Sequence, residues 1–313
     1  MSRLLPNTYL CIKNIGMSVF INPYTDFGFK KLFGEEGNKD LLIDFLNQLL
    51  PPHHQIAELD FHNSENLPEL ADDRKAFFDI HCRAHSGERF IVEMQKAKVR
   101  FFKDRALFYT TFPMREQAQK GVWDFESAPI YFVAILDFIY DEDQEKAKFR
   151  RDVMLKDQDC EVFYEKLHFK FLQMPAFTLK EHELKTQFDK WAYFLKNLEN
   201  FDEIPKILNE KIFKKAFRTA KVANFSKEQR TAYEKSRLNY LGVKAVSDTS
   251  REEGREEGKI EGREEGKIEG REEKMAEMVI KLHRKGRTAE EISDIFDIAL
   301  TEVLHIINTL QQD

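Results

Sequence analysis

Residues 77–95 read FFDIHCRAHSGERFIVEMQ, and the fold follows from how this stretch divides. His85-Ser86-Gly87 suits a three-residue hairpin loop, with Gly87 free to take the left-handed conformation that closes such loops. The loop pairs Ala84 with Glu88, and counting back along both strands sets Asp79 opposite Glu93. Side chains alternate along a strand, so Asp79, His81 and Arg83 share a face with Arg89, Ile91, Glu93 and Gln95. Phe78, Ile80, Cys82, Phe90, Val92 and Met94 form the other face, which reads as a core surface. Like charges directly opposite each other destabilise a sheet. A divalent cation with oxygen ligands is the natural agent to offset that repulsion, so the pattern points to a metal site.

Upstream of the hairpin, residues 29–33 and 40–50 carry helical spacing, broken by Gly34 and Gly37 and stopped by Pro51-Pro52. Residues 56–62 alternate like a short strand, and 63–74 are polar and loop-like. The hairpin strands cover about 75–84 and 88–95. Downstream, the spacing predicts a helix over 99–119, ended by Gly121. Residues 129–138 follow as a nearly continuous apolar run, the pattern of a buried strand. The order is helix, strand, strand, strand, helix, strand, an α/β layering that buries a sheet against helices. Residues 141–246 read as mostly helical, with Phe, Leu and Trp191 at helix-like intervals and no chemical motif.

Residues 251–274 repeat a tetrapeptide: REEG, REEG, KIEG, REEG, KIEG, REEK. A period of four overshoots the 3.6-residue turn, so the glycines spiral around a helix without forming a face. Each glycine costs about 1 kcal/mol of helix stability relative to alanine. Pairs such as Glu252 with Arg255 and Glu256 with Lys259 return a few tenths each. The stretch is therefore expected to be a solvated, partly helical spacer. Only Ile260 and Ile268 offer an apolar seam for the alternative, a self-association rod. Beyond it, 275–285, 289–296 and 302–310 suggest three short helices, with Gly286 ending the first and Thr288 with Glu291 forming a capping box for the second. The third offers Glu302, His305, Asn308 and Thr309 and no Arg or Lys, which favours a packing unit over a DNA-reading helix.

The 313 residues suffice for one large domain or two ordinary ones. A net charge of −6 argues against a generally basic binder but leaves room for a local basic groove. Three widely spaced cysteines (Cys11, Cys82 and Cys160) give neither a disulfide framework nor a zinc motif. The 28 phenylalanines read as core filler. No apolar run is long enough to span a bilayer, and Lys13 and Asn14 interrupt any signal-peptide core, so a cytoplasmic protein without a membrane partner is expected. Residues 1–19 are expected to be a disordered extension, with Met17 an alternative start. His53 and His54 follow two prolines, with nothing nearby to make them ligands.

Asp79 followed by Glu93-x-Gln95 on the next strand, within an αβββαβ order, resembles the PD-(D/E)XK nuclease superfamily. The likeness is closer to its recombination-promoting nucleases, the PD-(D/E)XK nuclease family transposases. NPYTDFGFKKLFG at 22–34 is similar to that family's opening motif, and Phe78-Asp79-Ile80 with Val92-Glu93-Met94-Gln95 to its central pair. Arg105 and Tyr109 look like the arginine and tyrosine of its following helix, and Gly-Arg-Glu-Glu repeats before a helical tail are common there. The likeness covers most of the chain from residue 20 onward.

The resemblance implies a restriction-endonuclease-like core over 20–140, a helical region at 141–250, the spacer at 251–274 and a small helical tail at 275–313. It implies Mg²⁺, with Mn²⁺ as a substitute, on Asp79 and Glu93 with the Met94 carbonyl contributing, and Asp26 as a further ligand or the holder of a metal-bound water. Gln95 stands where the superfamily has lysine; its amide can orient a water but supplies no positive charge. The function implied is a metal-dependent DNA endonuclease with little sequence specificity, tied to recombination or transposition. A DNA-binding accessory protein without turnover and a protein-interaction module are the alternatives. Cutting both strands in one encounter needs two sites, which makes a homodimer the working expectation. Lys75, Lys96, Lys98, Arg100, Lys103, Arg105 and Tyr109 are candidate DNA contacts, because affinity for DNA comes largely from neutralised phosphate charge. Plainer roles stand beside these: Asp26 as a helix cap, Arg105 and Tyr109 as braces between helix and sheet, and the basic run as a solvated face.

Overall fold

The structure, a computed structural model, describes residues 18–52, 54–62, 78–118, 124–141 and 146–309. Helices α1 (Asp26–Phe33) and α2 (Lys39–Asn47) lead into strands β1 (Leu59–Phe61), β2 (Ile80–Ala84) and β3 (Arg89–Gln95). Helix α3 (Phe102–Arg115) and strand β4 (Ile130–Leu136) complete the expected αβββαβ order. The chain continues through β5 (Arg150–Lys156), β6 (Val162–Gln173), α4 (Gln187–Asn197), α5 (Lys211–Ala220), α6 (Lys227–Arg284), α7 (Ala289–Phe296) and α8 (Leu300–Thr309).

Among the described residues the strands form one sheet in the order β1-β2-β3-β4-β6-β5. β1, β2 and β3 pair antiparallel, β3, β4 and β6 run parallel, and β5 returns antiparallel to β6. All of β4 is buried, as a central parallel strand covered on both faces must be. One face packs Ile80, Cys82, Phe90, Val92 and Met94 against the α1, α2, α4 and α5 side, where Trp191 and Phe213 are fully buried. The opposite face packs Ile91, Phe132, Ala134 and Phe171 against Phe102, Ala106 and Phe112 of α3.

Residues 141–246 do not simply follow the core as helices. They begin with β5 and β6, and β6 lies hydrogen-bonded beside β4 inside the sheet, so no structural break falls at residue 140. Phe163, Leu167 and Phe171 fall four apart and imitate a helical stripe. The true period is the two-residue one of Leu167, Phe169 and Phe171, which face α3 while Leu172 joins the other core.

Compact units comprise the chain up to Ser247 and the chain from Asp248. The second has its own small core of Val279, Ile292, Val303 and Ile307. There Gly286 takes a positive φ of 89° at the end of α6, and the Thr288–Glu291 capping box starts α7. The repeat at 251–274 is helical throughout, not partly so, and lies within the 58 residues of α6. Its ion pairs include Lys259–Glu256 at 3.4 Å and Lys267–Glu264 at 3.7 Å. No described helix is long and apolar enough to cross a membrane. Of the expected extension at 1–19, residues 1–17 lie outside the described residues, and Val19 is no loose end: its carbonyl accepts the Val222 N–H at 3.1 Å.

Candidate metal centre

The stretch at 22–34 fixes where α1 begins. Thr25 caps the helix: its Oγ1 accepts the Gly28 N–H at 2.9 Å and donates to the Asn22 carbonyl at 2.8 Å. Asn22 is itself held on both sides, donating through Nδ2 to Glu199 at 2.7 Å and through its N–H to the Tyr233 hydroxyl at 2.9 Å. A Cβ on Gly28 would lie 2.2 Å from the Asn22 carbonyl oxygen, so the turn closes only around glycine. The cap is therefore Thr25 and not Asp26, which occupies the first turn of α1 with its carboxylate 2.6 Å from Lys96 Nζ.

The hairpin has the expected register. Ala84 N–H donates to the Glu88 carbonyl, Gly87 takes a positive φ of 115°, and the ladder pairs Ile80 with Val92. One further step sets Asp79 against Glu93. Alternating outward from the hydrogen-bonded Ala84–Glu88 pair makes this a non-hydrogen-bonded position, where facing side chains come closest. Regular β2 begins only at Ile80, and Asp79 sits in the bend before it. That bend carries Phe78 to the α3 side, next to Tyr109 and Phe112, instead of to the face shared by Ile80 and Cys82.

The two acids clasp each other through backbone. Asp79 N–H donates to Glu93 Oε1 at 3.1 Å, and Met94 N–H donates to Asp79 Oδ2 at 2.8 Å. Within an extended strand a residue's N–H and C=O point to the same side, so the Met94 carbonyl also faces the side of Asp79. Glu93 is buried and Asp79 only partly so. Burial raises the pKa of both carboxyls; Asp79 raises that of Glu93 further, and Asp26 that of Asp79. The N–H donors and nearby cations oppose these shifts without cancelling them.

Gln95 lies just past Glu93, its Oε1 accepting from Arg105 Nη2 of α3 and its Nε2 3.4 Å from the Ala97 carbonyl. The same guanidinium lies 3.6 Å from Glu93 Oε2 and over the Tyr109 ring at 5.2 Å. Arg105 thus joins α3 to β3 beside Glu93, while Tyr109 packs its ring on Phe78 and on Phe132 of β4. Lys98, Arg100 and Lys103 are exposed, with Arg100 over the Phe101 ring and Lys103 over that of Tyr140. Lys75 lies outside the described residues. His53 lies outside the described residues. His54 pairs with buried Glu88, which Ser86 Oγ also contacts, and so ties the segment before β1 to the hairpin. A residue 34 positions away leaves no local signal for such a partner.

Among the described residues no group of three or more His, Cys, Asp or Glu side chains is placed to hold a metal ion. A cation here would rest on Asp79 and Glu93, with the Met94 carbonyl and water completing its shell. That fits a hard ion such as Mg²⁺, which is bound through one or two carboxylates and keeps several waters. Two carboxyls held near each other with raised pKa values are also a donor set short of positive charge. Asp26, engaged by Lys96, is not placed as a third direct ligand.

A family model described as PD-(D/E)XK nuclease family transposase matches residues 23–249. No curated protein and no solved structure gave a match.

Proposed function

The chain belongs to the PD-(D/E)XK nuclease family transposases, and from that membership we propose that it is a Mg²⁺-dependent DNA endonuclease, with Mn²⁺ as a substitute, that hydrolyses phosphodiester bonds with little sequence preference. The observation that carries the reading is the clasped Asp79–Glu93 pair, with Glu93 buried and Asp79 partly so, short of positive charge and followed by Gln95. A divalent ion bound there supplies polarisation of a phosphate oxygen and a water acidic enough to attack at neutral pH.

Asp79 and Glu93 hold the ion as carboxylates. The Met94 and Asp79 N–H groups fix their orientation, which spares reorganisation when charge develops. Arg105, anchored on Gln95, keeps a guanidinium beside Glu93 and favours its ionised form. The Gln95 amide nitrogen makes only a long contact to Ala97 and is available to orient a water. Exposed Lys98, Arg100 and Lys103 meet backbone phosphates, which is position without base readout. A homodimer, bringing one centre to each strand, is part of the proposal.

Cleavage of supercoiled plasmid by the purified protein tests it. Nicking or linearisation in Mg²⁺ that stops in EDTA and in Asp79→Ala and Glu93→Ala is the expected result. Binding without metal-dependent cleavage would replace the enzyme with a DNA-binding accessory protein.

A further inference from the structure

Gln95 leaves the acid pair without the lysine of the superfamily pattern, and most neighbouring cations are engaged. Lys96 is on Asp26 at 2.6 Å, Arg105 is on Gln95, and Lys31 is on Glu35 at 2.9 Å. Lys30 is exposed and has no ion-pair or hydrogen-bond partner for its ammonium among the described residues. It stands four residues after Asp26 on α1, so both share one helix face, and the Asp26–Lys96 pair pins that face beside the end of β3. The positive charge of Lys30 favours the ionised forms of both Asp79 and Glu93.

Lys30 also lines a cleft of about 510 Å³ between α1 and the early turns of α6, whose far wall carries Lys235, Ser236 and Asn239. The walls are tied together where the Phe27 N–H donates to Ser236 Oγ at 3.1 Å. Lys235 and Asn239 are exposed and one helical turn apart. Asp26 and Glu35 also line it, but their carboxylates pair with Lys96 and Lys31. That leaves the Lys30 and Lys235 ammonium groups, an amide and a hydroxyl as point-charge and hydrogen-bond donors suited to phosphate.

We propose that this cleft holds the phosphodiester backbone of the substrate strand, with Lys30 contacting the phosphate nearest Asp79 and Glu93 and Lys235 contacting a neighbouring one. The proposal deepens the nuclease reading and rests on it for the identity of the strand. Lys30 then supplies from α1 the positive charge that Gln95 does not, and the contacts are blind to base sequence.

The test is the affinity of a fluorescein-labelled DNA duplex, measured by anisotropy in EDTA from about 50 to about 200 mM salt. It compares wild type with Lys30→Gln, Lys30→Arg, Lys235→Gln and, as a control on an exposed lysine elsewhere, Lys211→Gln. Melting temperatures establish that each variant is folded. Lys30→Gln and Lys235→Gln should each weaken binding several-fold and flatten the slope of log affinity against log salt by about 0.9. Lys30→Arg should keep wild-type affinity, and Lys211→Gln should change nothing. Wild-type affinity in either glutamine variant, an equal loss in Lys211→Gln, or no binding by wild type overturns the cleft. Because no metal is present, the two readings fail separately. Binding lost in the glutamine variants of a protein that never cleaves keeps the cleft and removes the nuclease. Cleavage that needs Asp79, with binding indifferent to Lys30 and Lys235, does the reverse.

Discussion

Burial does most to keep the Glu93 side chain protonated, and Asp79 adds to it across the ladder, while the Asp79 N–H, Arg105 and Lys30 favour ionisation. The balance leaves the folded-state pKa above the unfolded one, so the folded protein holds this proton more tightly. The stability that comes with it is complete below the unfolded value of about 4.3 and is lost as pH rises through the folded value. Glu93→Gln keeps the shape, removes the charge and should melt several degrees above wild type in EDTA at about pH 8. The two should converge toward about pH 4. Thermal scans across that range check it, and a variant that melts lower at the alkaline end would contradict the account. Arg105→Ala removes a charge that favours ionised Glu93. The rising acid limb of the pH–rate profile should therefore move to higher pH, and an unmoved limb would mean that Arg105 acts on packing alone.

At the scale of elements, α1 depends on Gly28. Gly28→Ala sets a methyl against the Asn22 carbonyl and should cost about 1–3 kcal/mol in denaturant unfolding. Gly242 in α6 has nothing within 4 Å of an added Cβ, so Gly242→Ala should instead be neutral or stabilising by up to about 1 kcal/mol. Equal effects of the two substitutions would mean that helix propensity, not close approach, explains Gly28. The hairpin was legible because a three-residue loop and a period of two fix register without any distant information. The same logic misplaced Phe78, since strict alternation stops where β2 stops, at Ile80. Thr25 as cap needed only its hydroxyl at the right offset, but Asp26 competed for the role with an equally good capping side chain. β6 was hidden by phenylalanines at spacings that serve a helix as well as a strand, and β5, an edge strand with no buried side chain, shows no clean two-residue alternation. The contacts of Arg105 with Gln95, His54 with Glu88 and the cleft walls join residues distant in sequence, for which no local pattern exists.

At the scale of the molecule, the sheet and both its helical faces belong to the chain before Asp248, and the candidate centre lies wholly there. The repeat at 251–274 carries five glycines and no buried side chain. Helix opening is cheapest in such a stretch. Brief trypsin digestion should cut there first and leave a folded fragment ending near residue 250, seen by mass spectrometry and near-ultraviolet circular dichroism. First cuts within the sheet region would contradict this division of stability.

The central claim is that Asp79 and Glu93 form a divalent-cation site. Calorimetric titration with Mn²⁺ at about pH 7, in two buffers of different ionisation enthalpy, tests it most directly, because a cation must displace the proton that burial holds on the pair. The account predicts saturable binding with proton release in wild type, and loss of both in Asp79→Asn and Glu93→Gln. Undiminished binding in those variants, or none in wild type, would contradict it.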